Sequence, residues 1–127
     1  MVVLMRYAFI SLALLAASAS LPALIRVPGL AYAQDVKIVE ISAERFSFNP
    51  SEIRVKAGTP LEIRLTSEDT MHGFHILGTD IDLELPKRGR GVASVIFQPA
   101  AGRYTFECSR VCGAGHAFMR GVIIATE

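Results

Sequence analysis

The sequence predicts an all-β fold, a sandwich of two antiparallel sheets built from short strands. Three observations carry this expectation. Apolar and polar residues alternate at period two in several stretches of about 4–8 residues, the pattern of half-buried strands. Glycine and proline punctuate the chain between them, at Gly78, Pro86, Gly89, Gly91, Pro99 and Gly102, giving the spacing of about 8–12 residues usual in sandwiches. After residue 34 no run follows the helical period, and no repeat or low-complexity tract appears.

The elements follow in order. Residues 36–43 alternate loosely and form the first strand. Ile53 and Val55, then Leu61, Ile63 and Leu65, alternate with Arg, Glu and Lys, and Ala57-Gly58-Thr59-Pro60 between them is a turn. Residues 74–77, 82–85, 92–97 and 103–108 continue the series, and the Val-Ile-Ile stretch within 121–126 closes it. Phe46, Phe48, Phe97, Tyr104 and Phe106 are expected as core aromatics. Residues 34–127 are enough for one two-sheet domain with a single core.

Residues 1–33 form a separate region. Arg6 precedes a largely apolar stretch, Pro22, Pro28 and Gly29 break it, and Ala31-Tyr32-Ala33 before Gln34 has the A-x-A form of a cleavage site. The competing reading is a membrane anchor, since residues 2–25 hold one charged side chain and are long enough to cross about 30 Å of hydrocarbon. Either reading places residues 34–127 outside the cytoplasm, in the periplasm or on the outer face of the membrane. The whole chain carries 13 Lys and Arg against 12 Asp and Glu; without Arg6 and Arg26 the remainder has 11 against 12, a net charge of −1. That balance gives no case for nucleic-acid binding.

One loop carries chemistry. Cys108-Ser-Arg-Val-Cys112-Gly-Ala-Gly-His116-Ala-Phe-Met119 holds both cysteines of the protein with an imidazole and a thioether. Two thiolates, an imidazole and a thioether are a soft ligand set that suits copper better than zinc, calcium or magnesium. Cys112, His116 and Met119 lie at the Cys-x3-His-x2-Met spacing, which on one loop can aim three side chains at a point. A mononuclear blue-copper site needs that trio and one upstream histidine, for which His72 is the candidate. Cys108 is then an additional thiol with three readings. It could pair with Cys112 as a disulfide, complete a Cys2His2 zinc site with His72 and His116, or bridge two copper ions together with Cys112.

These residues, with the upstream His72-Gly-Phe-His-Ile, resemble the CuA domain of cytochrome oxidase subunit II, above all the short subunit II of ba-type haem–copper oxidases. The resemblance covers most of residues 45–127 and includes Phe48-Asn-Pro50, Ile53-x-Val55, Gly58 and Leu61-x-Ile63. It implies a Greek-key, cupredoxin-like sandwich with a binuclear copper centre. In that arrangement Cys108 and Cys112 bridge two copper ions, His72 and Met119 complete one, and His116 with the backbone carbonyl of Arg110 completes the other. Two bridging thiolates spread one unpaired electron over both metals, so a change of oxidation state moves each bond little, and a rigid scaffold serves the same end. At Arg110 the chain departs from the family, which usually carries Glu or Gln there. A guanidinium beside the centre favours the more negative reduced form, so Arg110→Glu is expected to lower the reduction potential.

The function implied is electron transfer, from a donor such as cytochrome c or a small cupredoxin to haem in subunit I of a haem–copper oxidase. The domain is not expected to catalyse alone; oxygen reduction would lie in another chain. A copper carrier or assembly protein with the same ligands, and a mononuclear cupredoxin in which Cys108 is incidental, are the alternatives. Near the motif, His75 falls on the strand face opposite His72, Phe74 and Ile76 and is read as a hydrogen-bonded neighbour. Met71 is filler, and Lys87-Arg88-Gly89-Arg90 is a solvated basic turn. With no Trp in the chain, Phe74 or Phe118 is the candidate aromatic at a donor-docking surface.

Overall fold

The computed structural model describes residues 35–127. The expected targeting segment or anchor, and its boundary with the domain, lie outside the described residues. Within the described residues nine strands form two sheets: β1 (Lys37–Glu44), β2 (Ser47–Asn49), β3 (Glu52–Lys56), β4 (Leu61–Ser67), β5 (His72–Ile76), β6 (Asp82–Leu85), β7 (Ala93–Phe97), β8 (Gly102–Glu107) and β9 (Arg120–Thr126). A single turn of 3-10 helix, His116–Phe118, precedes β9. One sheet has the order β2-β1-β4-β7 and the other β3-β9-β8-β5-β6. Among the described residues no helix is long and apolar enough to cross a membrane.

Alternation is what drives the two sheets together. Val39, Ile41 and Ala43 of β1, Ile53 and Val55 of β3, and Leu61, Ile63 and Leu65 of β4 point inward and are buried, while most of their neighbours are polar or charged and face outward. Each fully buried large apolar side chain contributes about 1.5–3 kcal/mol relative to exposure. Phe48, Phe74 and Phe106 meet at the centre with ring centroids 5.0–5.9 Å apart.

The expected sandwich is present, with two refinements and one correction. Two of its pairings are parallel, β1 with β4 and β3 with β9, because the two sheets exchange strands; alternation along one strand carries no information about its neighbour's direction. The three-residue β2 has too few positions to display a period and escapes sequence reading. Phe46 is not a core aromatic: it is 37% exposed, because it lies in the turn between β1 and β2 rather than on an inward strand position. Phe97 and Tyr104 are half-buried and stack edge to face at 5.1 Å.

The sheet near one end of the sandwich is built to receive the Cys108–Met119 segment. The N–H of Cys108 donates to the Met119 carbonyl at 3.1 Å, closing the base of the loop where β8 gives way to β9. β5 runs beside β8, so His72 at its start faces the loop's first cysteine.

Candidate metal centre

The structure brings the predicted side chains together. His72, at 0% exposure, turns Nδ1 toward Cys108 Sγ at 3.9 Å. The two thiols are free and buried, with sulfurs 3.8 Å apart. Cys112 Sγ lies 3.9 Å from Met119 Sδ and 3.9 Å from His116 Nδ1. Cys108 Sγ also meets the Arg110 carbonyl at 3.1 Å. The ligand atoms of His72, Cys108 and Cys112 all fall within 4.8 Å of one another. The arrangement has two lobes, with His72 and the Arg110 carbonyl beside Cys108, and His116 and Met119 beside Cys112.

Those spacings fit a metal. A disulfide needs its sulfurs about 2.05 Å apart, far closer than the 3.8 Å found here. Two thiolates that share a metal at about 2.3 Å each can be at most about 4.6 Å apart, which the pair satisfies. In the metal-free protein the thiols hold their protons. Burial, and then Cys108 beside it, push the Cys112 thiol from 9.0 up to about 11. A cation must displace those protons to bind.

Asp69 completes the histidine. Its Oδ1 lies 2.6 Å from His72 Nε2, so the ring offers Nδ1 to the thiols while its far nitrogen is tied to a carboxylate, the pattern that orients metal-bound histidines. Burial opposes charge on Asp69, but the bond to His72 and the backbone N–H groups of Thr70 and Arg45 outweigh it and hold the carboxyl below its usual value. Sequence reasoning passed over Asp69 as part of a polar run. Its signal was the i, i+3 placement ahead of a histidine.

Glycines let the loop lie close. A Cβ on Gly73 would overlap the Ser109 side chain and stand 2.7 Å from the Arg110 nitrogen; the Gly73 N–H instead donates to Cys108 Sγ at 3.4 Å. Gly113, at φ 143°, faces the Phe46 ring, which a Cβ would meet at 2.9 Å.

The flanking residues resolve as follows. His75 is half-buried on the opposite face from buried His72, Phe74 and Ile76, in register with Asp82 and Glu107. Phe74 is fully buried and cannot present a ring to a partner, whereas Phe118 is 84% and Val111 85% exposed on the loop. Met71 is partly exposed. Lys87, Arg88 and Arg90 are exposed, with Arg88 Nε 4.0 Å from Glu68. The Arg110 guanidinium turns away from the thiols, to Asp82 at 3.3 Å and Glu84 at 4.0 Å.

A two-sheet sandwich with a cysteine–histidine–methionine loop buried at one end and a histidine supplied from a neighbouring strand defines a cupredoxin-type protein. The chain belongs to the cupredoxin-like domain family, whose profile matches residues 6–125. It is 37% identical over 90 residues to cytochrome c oxidase subunit 2 of Thermus thermophilus, covering 70% of this chain and 65% of that protein. Against a longer subunit 2 from a second strain of the same organism the identity is again 37%, and the chain spans 52% of its length. The fold is similar to a chain of a heme-copper terminal oxidase dimer, with TM-score 0.63, 29% identity, and coverage of 76% of this chain and 68% of that one. It is also similar to the periplasmic domain of subunit II of cytochrome oxidase from Bradyrhizobium japonicum, with TM-score 0.64, 18% identity, and coverage of 72% and 84%.

Proposed function

We propose that residues 34–127 form an extracytoplasmic electron-transfer domain holding a binuclear copper centre. The observation that carries this reading is the pair of free, buried thiols 3.8 Å apart, flanked on one side by His72 and the Arg110 carbonyl and on the other by His116 and Met119. Cys108 and Cys112 would bridge the two ions, His72 and Met119 would complete one, and His116 and the Arg110 carbonyl the other. Bound there, copper would supply a one-electron couple shared between two metals. The thioether of Met119 favours copper over zinc, and the resemblance to cytochrome c oxidase subunit 2 supports the same assignment.

The protein's own contribution is to hold the ligands still. Asp69 fixes the His72 tautomer, the Cys108–Met119 backbone bond fixes the ends of the loop, and the Phe48–Phe74–Phe106 cluster stiffens the floor beneath. Burial of the thiols keeps water out, and a ligand set that cannot rearrange suits a group whose task is to change charge without changing shape. Exposed Val111 and Phe118 give the loop an apolar rim that suits contact with a redox partner. A donor such as cytochrome c or a small cupredoxin, and haem in subunit I of a haem–copper oxidase as acceptor, fit a domain related to subunit 2.

A mononuclear centre is the second reading, because His72, Cys108 and Cys112 together could hold one ion. Copper-loaded protein decides. Two copper ions per chain, with paramagnetic hyperfine structure from two equivalent nuclei and a purple colour, are expected. One copper with a single intense blue thiolate band would defeat the binuclear assignment. Cys108→Ser is expected to lose the two-copper signature.

A further inference from the structure

We infer that Arg45, in the turn between β1 and β2, is the residue that positions the two halves of the metal centre against each other and supplies the positive charge acting on it. The sequence drew attention to Arg110 for that role, but the Arg110 guanidinium faces away and is taken up by Asp82 and Glu84. Arg45 does the opposite. Its Nε–H donates to the carbonyl of Cys112 at 2.8 Å, across 67 residues of sequence. Its backbone N–H donates to Asp69 Oδ2 at 3.0 Å, and the other oxygen of that carboxylate holds His72 Nε2 at 2.6 Å. One residue therefore grips the loop-borne thiol through its side chain and the strand-borne imidazole through a carboxylate.

The neighbouring ring strengthens the grip. Phe46 lies against Gly113 and Gly115, so closely that a Cβ on either would overlap it. Arg45 and Phe46 together press residues 112–115 onto the sandwich. A hydrogen bond from a charged donor contributes about 1.5–3 kcal/mol, enough to keep the loop closed most of the time. Among the described residues the Arg45 guanidinium enters no ion pair within 4.0 Å, so its charge acts on the Cys112 side uncancelled. A cation there favours the reduced, more negative form.

The effect on potential rests on the copper reading above; the effect on the loop does not. Two measurements separate them. In copper-loaded protein, Arg45→Gln is expected to shift the redox equilibrium about tenfold toward the oxidised form, a fall of about 59 mV for one electron, and Arg45→Lys to restore most of it. In metal-free protein, alkylation of Cys112 by iodoacetamide is expected to accelerate about tenfold in Arg45→Gln, as the loop opens more often. A two-copper Arg45→Gln protein with an unchanged potential would overturn the inference. If the wild-type protein takes up no copper, the proposed function fails instead, and the inference then stands on faster alkylation and falls on an unchanged rate. Should Arg45→Gln lose its strand signal in circular dichroism, Arg45→Lys decides. Lysine keeps the charge but not the guanidinium fork, so faster alkylation supports the inference and a wild-type rate overturns it.

Discussion

The start of β5 and the segment from Cys108 to Met119 solve one problem, holding a ligand still, by different means. His72 sits at the end of a strand paired on both sides, by β6 and β8, and is fully buried. Its position follows from the ladder, and only its ring needs fixing, which Asp69 does. The loop has no ladder across its middle. Val111, Gly113, Ala114, Ala117 and Phe118 are exposed while Cys112 and Met119 are buried among them. That segment is held by contacts from outside it: Gly73 beneath, Arg45 and Phe46 from the β1–β2 turn, and Asp82 against Ser109. A strand-borne ligand is thus fixed locally, and loop-borne ligands depend on residues distant in sequence.

The largest test of this contrast is Gly73→Ala, at the point where the two regions touch. The new methyl would overlap Ser109 and crowd the backbone nitrogens of Ser109 and Arg110, and backbone cannot swing aside as a flexible side chain can. A loss of about 1–3 kcal/mol in folding stability, typical of overpacking, is expected in urea titrations, together with loss of the two-copper spectrum. Retention of both would show that the loop yields easily and is not held from β5. Asp69→Ala comes next and acts on the strand side. It leaves the ladder intact and frees only the ring, so copper affinity should fall about 10–100-fold in a competition titration while the thermal midpoint moves little. An equal fall in stability would mean that Asp69 braces the fold and not the ligand.

The same contrast explains what could be read from the sequence. Strand positions announce themselves by alternation, so β1, β3 and β4 and their buried residues were legible. Cys112, His116 and Met119 were legible because one loop carries them at close spacing, and His72 because few histidines compete for the role. Arg45 and Asp69 were not, since neither has a pattern of its own. Their importance arises from a turn and a strand meeting a loop 67 and 36 residues further along the chain. Phe46 was misplaced for a related reason: composition identifies an aromatic but not the turn that carries it to the surface.

Arg110 sharpens the comparison further. Its carbonyl belongs to the site and its side chain to the surface network with Asp82 and Glu84. Arg110→Glu is still expected to lower the reduction potential, because it places a third carboxylate beside two others. Arg110→Gln should shift it less than Arg45→Gln does, since the charge it removes is already countered. Voltammetry on the two glutamine variants makes the comparison directly, and a larger shift at position 110 would reverse the assignment of the tuning charge.

The smallest effect concerns Asp82, which tethers the loop from the β6 side. The Ser109 hydroxyl, at 2.5 Å, does most to hold its carboxyl below the ordinary value of 3.8; partial burial opposes this, and Arg110 adds to it. A carboxyl whose folded value lies below its unfolded one contributes stability that is present above about pH 3.8 and is lost as the pH falls through the folded value. The side chain is 42% exposed, so solvent screening limits the contribution to at most about 1 kcal/mol. Thermal melts of the metal-free protein should therefore show wild type losing slightly more stability than Asp82→Asn between about pH 5 and about pH 3. Parallel losses in the two proteins would mean that the Ser109 bond follows the loop's position and does not help to set it.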